Sequence, residues 1–404
     1  MSAPLRQRPR TADLLSAARA QQSQYLTDLA QIVAIDSGSY SAEGVNQVAD
    51  WVQARLQRLG FTVERVPHQH PGLDVGDTVV ARKRGRLAPA DGGRTIMLAA
   101  HMDTVFESGT AAERPFRIVG STAYGPGVCD DKGGLLAGLT ALGILQEQGI
   151  HDYAELVFLA TPDEEIGSPA SRKVTEEVAR GVDYALGLEG ARENGDLVIA
   201  RKGIADFRVK VTGRAAHAGI EPERGANAAL CAAHLVVALQ ALNGHRDQVT
   251  VNVGVVRAGT RANIVCPEAE LHIEVRAATE AGIRWAEQAI NDLTQHPAVP
   301  GTAISVERMD LCPPMEDTPA SRHLLEQATA AAAALGFEIG AAATGGVGDA
   351  NLIAGQGTLV LDGLGPVGGA DHTPEEWLDT SSVPERVALL ALLISSLGDA
   401  NTDH

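Results

Sequence analysis

The stretch Ile96-Met97-Leu98-Ala99-Ala100-His101-Met102-Asp103-Thr104 decides how this chain is read. Ile96 to Ala100 is an apolar run, the pattern of a buried strand, and it ends on a histidine with an aspartate two positions on. Strand side chains alternate faces with period two, so His101 and Asp103 point the same way while the extended form persists. A metal-ligating histidine needs a carboxylate or carbonyl to fix its tautomer, and His-x-Asp supplies both from one strand end. The pair reads equally as a polar cap where a strand meets its loop, so the rest of the chain has to choose.

Working outward, other apolar runs end the same way. Glu155 to Ala160 reads as a strand running into Thr161-Pro162-Asp163-Glu164-Glu165, and Tyr184 to Leu188 as a strand ending on Glu189. Asp130 stands in a glycine-rich loop before a helix over Leu135 to Gln148. Helices are expected over Thr11 to Ile35 and Glu43 to Leu59, the latter with Val45, Val48, Val52 and Leu56 at helical spacing. Alternating strands and helices predict an α/β fold, a mixed sheet with helices on both faces. In such sheets ligands bind beyond the carboxyl ends of the strands, where these polar residues fall.

From about Lys202 the pattern changes. Strands over Ile204 to Val211, Val249 to Val256, Ala269 to Ala277 and Ala303 to Arg308 alternate with helices over Asn227 to Leu242 and Glu280 to Gln295. That order is βαββαβ, the ferredoxin-like arrangement. In the third of these segments Val249, Val251, Val253 and Val255 are expected on one face. The domains are therefore read as 1–202 and 314–404 for a catalytic domain, with 203–313 inserted. The returning part carries a helix over Ser321 to Leu335, the loop Thr344-Gly345-Gly346-Val347-Gly348-Asp349, and Gly369-Ala370-Asp371-His372. Residues 1–10 are expected to form a loose tail.

The 404 residues carry a formal net charge of -18, which argues against nucleic acid or an anionic membrane as partner. No apolar run is long enough to span a membrane, and no signal peptide is read. Four widely spaced cysteines without a CxxC pair suggest reduced thiols and a cytoplasmic setting.

His101, Asp130, Glu165, Glu189 and His372 together offer two imidazoles and three carboxylates, a donor set for two zinc-like ions with one carboxylate bridging. Glu164 and Glu165 would repel each other as bare neighbours, and a cation removes that objection. One can bind metal while the other takes a proton from water.

These segments resemble the dizinc aminoacylase and glutamate-carboxypeptidase family of metallopeptidases and amidohydrolases, and within it the bacterial folate-cleaving glutamate carboxypeptidases. The matching text is AAHMDTVF at 99–106, GPGVCDDKGG at 125–134, TPDEEIGS at 161–168, GLEG at 187–190, GRAAHAG at 213–219, RANIVCPEAELHIEVR at 261–276, TGGVGDAN at 344–351 and GADHTPEE at 369–376. The resemblance implies that His101, Asp130 and Glu189 hold one zinc and Asp130, Glu165 and His372 the other, with manganese or cobalt as alternatives. It implies a cis Asp130–Asp131 peptide, Asp103 orienting His101, and Glu164 as general base. His217 would reach the partner's site in a homodimer formed through the inserted domain and polarise the scissile carbonyl. Asn263, Arg276 and Gly346 would meet the substrate, Arg276 by a bidentate grip on its carboxylate.

Two departures bear on specificity. Where the folate-cleaving branch reads the substrate side chain with an arginine, the equivalent here is Asp310, with Arg308 nearby as a substitute. Val347 and Gly348 replace Gly and Thr in the glycine-rich loop. The expected activity is hydrolysis of an amide or peptide bond next to a free carboxylate, on a small N-acyl amino acid or peptide. Deacylase or carbamoyl-amino-acid hydrolase action, and a member that binds without turnover, are the alternatives.

Overall fold

The computed structural model describes residues 10–402. All but Arg10 of the expected tail lies outside the described residues. The chain divides into two compact units. One runs to Ile199 and includes Asp317–Ala343 and the chain from Gly348; the other comprises Ala200–Glu316 and Thr344–Val347.

The first unit is a six-stranded mixed sheet carrying helices on both faces, ordered Thr62–Val66, Thr78–Arg84, Glu155–Thr161, Thr95–His101, Tyr184–Gly187, Leu359–Leu361. The last four are mutually parallel and the first two antiparallel. Ile96 to His101 and Leu156 to Thr161 are buried throughout, as strands covered on both faces must be. The helices Thr11–Val33, Lys132–Glu147 and Val383–Leu397 pack on one another, their contacts drawn from one continuous apolar core. The helix Ala42–Arg58 is capped by Ser41, whose hydroxyl accepts from Gly44 N. It stops where Gly60 takes φ +79°, a left-handed conformation that costs glycine nothing.

Sequence periodicity does not reveal a second sheet in this unit. It pairs Gly368–Gly369, Trp377–Asp379, Thr122–Tyr124 and Arg117–Val119, all antiparallel. No strand in it exceeds three residues, too few to display a period of two.

The second unit is a four-stranded antiparallel sheet ordered Val249–Ala258, Glu268–Ala277, Gly203–Thr212, Ala303–Cys312, the βαββαβ order expected. Ala205, Phe207, Val209 and Val211 face the helices Ala228–Gln240 and Glu280–Thr294, and the alternate positions face outward. One reading of the first strand needs correction. Val249, Val251 and Val253 share a face, but a register shift between Val253 and Val255 sets Val255 opposite His272 on the outer face. Gly254 is the extra residue of this bulge, and each inserted residue reverses the alternation after it.

Candidate active site

Three adjacent parallel strands deliver their carboxyl ends to one place. His101 closes the first, Glu164 and Glu165 follow the second in a short 3-10 turn, and Glu189 follows the third. Asp130 comes from the loop ahead of the helix Lys132–Glu147, and His372 from the loop inside the small sheet. His372 and Ala370 hold φ +64° and +56°, a conformation that non-glycine residues retain where the surroundings impose it.

The donor atoms converge. One oxygen of Asp130 lies 2.8 Å from His101 Nε2, and the other 3.2 Å from His372 Nε2. Glu165 Oε2 is 3.0 Å from His372 Nε2, and Glu189 Oε1 is 3.7 Å from His101 Nε2. Within 4.8 Å of one another lie ligand atoms of His101, Asp130 and Glu165, and separately of His101, Glu164 and Glu189. Thus the structure brings together all five expected ligands and Glu164. The Asp130–Asp131 peptide is cis.

The surroundings of His101 suit an imidazole that could hold a cation. Its Nδ1 lies 3.1 Å from the main-chain oxygen of Asp103 and 3.3 Å from its Oδ1, both acceptors, so the ring proton belongs on Nδ1. Nε2 then presents a lone pair to Asp130 Oδ1 at 2.8 Å, and two lone pairs approach so closely only across a shared proton or cation. Carboxylates also outnumber imidazoles here. Burial first, and then Glu189, push Glu164 well above the usual carboxylate range. Hydrogen bonds to Asp130 and Glu165 carry His372 up to about 11. Nitrogen and oxygen donors in this proportion suit zinc and its divalent neighbours.

Asp103 is fully buried and does more than orient His101. Its Oδ1 accepts from Glu164 N and its Oδ2 from Glu165 N, both at 3.1 Å, and Oδ2 also accepts from Ser39 Oγ at 2.7 Å. Sequence reasoning passes over Ser39 and two other supports. Glu376, 1% exposed, accepts from Gly127 N, Cys129 N and Asp130 N at 2.8, 2.8 and 3.0 Å, fixing the loop that carries Asp130. Asp131 Oδ2 accepts from His101 N at 3.3 Å. The signal for Glu376 is its place in GADHTPEE, the segment that supplies His372.

The remaining candidates lie in the second unit. His217 is exposed, and its loop is stitched to that of Asn263 by a bond from Ala218 N to Asn263 O of 3.0 Å. Arg276 donates to Gly345 O at 2.9 Å, beside Gly346, and grips Glu274 at 2.7 and 3.3 Å. The bulge between Arg308 and Asp310 settles which of those two joins this face. Asp310 sits opposite Asp206 on the outer side, while Arg308 turns to Glu287 on a helix at 3.1 Å.

The model of peptidase family M20/M25/M40 matches residues 97–396. The chain belongs to this family. Carboxypeptidase G2 of Pseudomonas sp. (strain RS-16) is 34% identical over 388 residues, 95% of this chain and 92% of that protein. Indole-3-acetyl-aspartic acid hydrolase of Enterobacter agglomerans is 31% identical over 61% of this chain and 60% of that protein. Among solved structures, the aminopeptidase PepT of Bacillus cereus ATCC 10987 shares the fold with a TM-score of 0.73 and 23% identity, over 93% of this chain and 98% of that one. As an M20 member the chain is a metal-dependent hydrolase of the peptidase and amidohydrolase kind. Among the described residues, no helix is long and apolar enough to cross a membrane.

Proposed function

We propose that this M20 enzyme hydrolyses the amide or peptide bond joining an acyl group to an amino acid with a free carboxylate. The observation that carries the reading is Asp130, whose two oxygens face His101 and His372 while Glu164 stands beside His101. His101, Asp130 and Glu189 would hold one divalent ion and Asp130, Glu165 and His372 a second, zinc by the nature of the donors. When bound, the ions polarise the scissile carbonyl and lower the pKa of the attacking water.

Glu164 takes the water proton as the new carbon–oxygen bond forms, and returns it to the nitrogen as the carbon–nitrogen bond breaks. Its raised pKa suits both halves of that transfer. His217 donates a hydrogen bond to the carbonyl oxygen of substrate held by a second copy, and Arg276, Asn263 and Gly346 receive the carboxylate end. That two relatives are a carboxypeptidase and an indole-3-acetyl-aspartic acid hydrolase supports an amino-acid leaving group.

A homodimer through the second unit fits its surface. The helix Ala228–Gln240 is apolar on its outer side too, with Leu230 49% and Val237 72% exposed, and the neighbouring strand Val249–Ala258 is an open sheet edge. Four buried free cysteines support a reducing, cytoplasmic setting. The test of the catalytic reading is Glu164→Gln, assayed on a panel of N-acyl amino acids and dipeptides with product mass as readout. Metal content should stay at the wild-type level and kcat should fall by about 10²–10⁴. Turnover within tenfold of wild type would remove Glu164 as the base.

A further inference from the structure

The helix Lys132–Glu147 opens on a residue that local rules disfavour. Lys132 takes its first position, where the positive end of the helix dipole opposes a cation, and is 1% exposed. Burial works against its charge, and the carboxylates of Glu376 and Asp36 work for it. We propose that Lys132 is a positioning residue: its ammonium locks the loop that carries Asp130 to the loop that supports Asp103, and so fixes the spacing of Asp130 and Glu164. The inference rests on the hydrolytic reading above, which gives that spacing its chemical use.

The link can be followed bond by bond. At one end, Lys132 N donates to Gly127 O at 3.1 Å, within the loop that Glu376 holds. At the other, Lys132 Nζ donates to Ile35 O at 2.8 Å. Ile35 lies in the connection between the helices Thr11–Val33 and Ala42–Arg58. Two residues on, Ser37 O accepts from Thr104 N at 2.9 Å, and Ser39 N donates to Thr104 O at 3.2 Å. Ser39 Oγ then donates to Asp103 Oδ2 at 2.7 Å, and Asp103 holds the amides of Glu164 and Glu165. Asp36, beside Ile35, accepts from Gly109 N and Ala111 N at 2.8 Å each, which ties the same connection to a further segment.

The two loops leave no slack. Gly127 holds φ +71°, and a Cβ there would lie 2.6 Å from Thr104 Cγ2 and 3.4 Å from Lys132 Cδ. The Asp130 loop, the lysine stem and the segment after His101 are therefore packed together. An apolar stem would fill the same space. The ammonium adds a directional bond to a carbonyl, and a charge-assisted bond is about twice as strong as a neutral one. Glu376 supports Asp130, and Asp103 supports the turn of Glu164 and Glu165. Lys132 joins these two halves.

The test uses the full-length, zinc-loaded enzyme. Lys132→Met keeps the buried stem and removes the ammonium. Hydrogen–deuterium exchange should run about tenfold faster in peptides covering 35–41 and 102–106, and stay at the wild-type rate in the strand Glu155–Thr161. On the N-acyl amino acid that turns over fastest, kcat should fall about 10–100-fold with KM near wild type, because a misplaced base costs rate rather than affinity. Zinc affinity from chelator competition should fall by less than about tenfold, since Glu376 still holds the Asp130 loop. In Lys132→Ala, propylammonium replaces the deleted atoms and should restore both kcat and slow exchange, which 1-propanol should not. Wild-type exchange in folded Lys132→Met, or losses that propylammonium leaves unchanged in Lys132→Ala, overturn the link and leave the hydrolase reading standing. Faster exchange that propylammonium reverses, with no hydrolysis of any panel member by wild type, keeps the link and removes the hydrolase reading.

Discussion

Replacing Glu376 should weaken metal binding although Glu376 is not itself among the ligand atoms. Its carboxylate is buried and accepts three backbone N–H groups, from Gly127, Cys129 and Asp130. In Glu376→Ala those three donors lose their partner at once. An unmet buried donor costs about 1–3 kcal/mol, so the loop would carry a penalty of several kcal/mol if it stayed in place. It will shift to avoid this, and Asp130 shifts with it. The loss of a supporting partner of this type lowers metal affinity about 10–100-fold. Glu376→Gln separates charge from hydrogen bonding. An amide oxygen at the Oε1 position still accepts from Cys129 N and Asp130 N, while its NH₂ meets the N–H of Gly127, so about one donor is lost rather than three. Zinc dissociation constants from chelator competition should therefore rank wild type, Gln, Ala from tightest to weakest. Wild-type affinity in Glu376→Ala, or equal losses in both variants, would refute the claim that these three bonds hold Asp130 in place.

Two further outcomes follow from buried groups near the strand ends. Asp349 accepts from the Thr161 and Ser168 hydroxyls, and burial pushes it up from 3.8 to about 6. The folded state thus binds more protons in that window, and the contribution of Asp349 to stability is present below pH 3.8 and lost as pH rises through about 6, an effect of about 3 kcal/mol. Urea unfolding of wild type and Asp349→Asn across this range should give a stability difference that shrinks in the wild type's disfavour as pH rises; a constant difference would contradict the assignment. Gly134→Ala should destabilise although alanine is the better helix former by about 1 kcal/mol. A Cβ there would lie 1.7 Å from Leu188 O, next to Glu189, and differential scanning calorimetry should show a lower Tm; a higher one would mean the close helix–strand approach is not required.

The central strands and the polar residues His101, Glu164, Glu165 and Glu189 at their ends were legible because each apolar run is long enough to read and each of these residues lies within a few positions of its strand. The same holds for the inserted unit, whose strands of ten residues display their alternation plainly. What could not be read depends on partners distant in sequence. Glu376 acts on amides as much as 249 positions away, and its place in the segment of His372 does not reveal those partners. The small sheet that brackets His372 is built from two- and three-residue strands, below any period. Val255 looked inward because four valines alternate, and only the pairing with His272 reveals that Gly254 breaks the phase.

The pair His101 and Asp103 began as two open readings, a strand cap or a ligand with its support. A cap at a strand end keeps its charge in water, yet Asp103 has no exposed surface. Its carboxylate collects donors from three directions: the His101 ring, the amides of Glu164 and Glu165, and the hydroxyl of Ser39. Burying a carboxylate is costly unless its acceptor positions are filled, and these four donors fill them. One side chain thus sets the tautomer of His101, the placement of Glu164 and Glu165, and the loop that carries Ser39. It also explains how the two neighbouring glutamates can differ in role. Both amides are pinned to Asp103, one to each oxygen, so their side chains leave the turn in separate directions, Glu164 toward His101 and Glu189 and Glu165 toward His372.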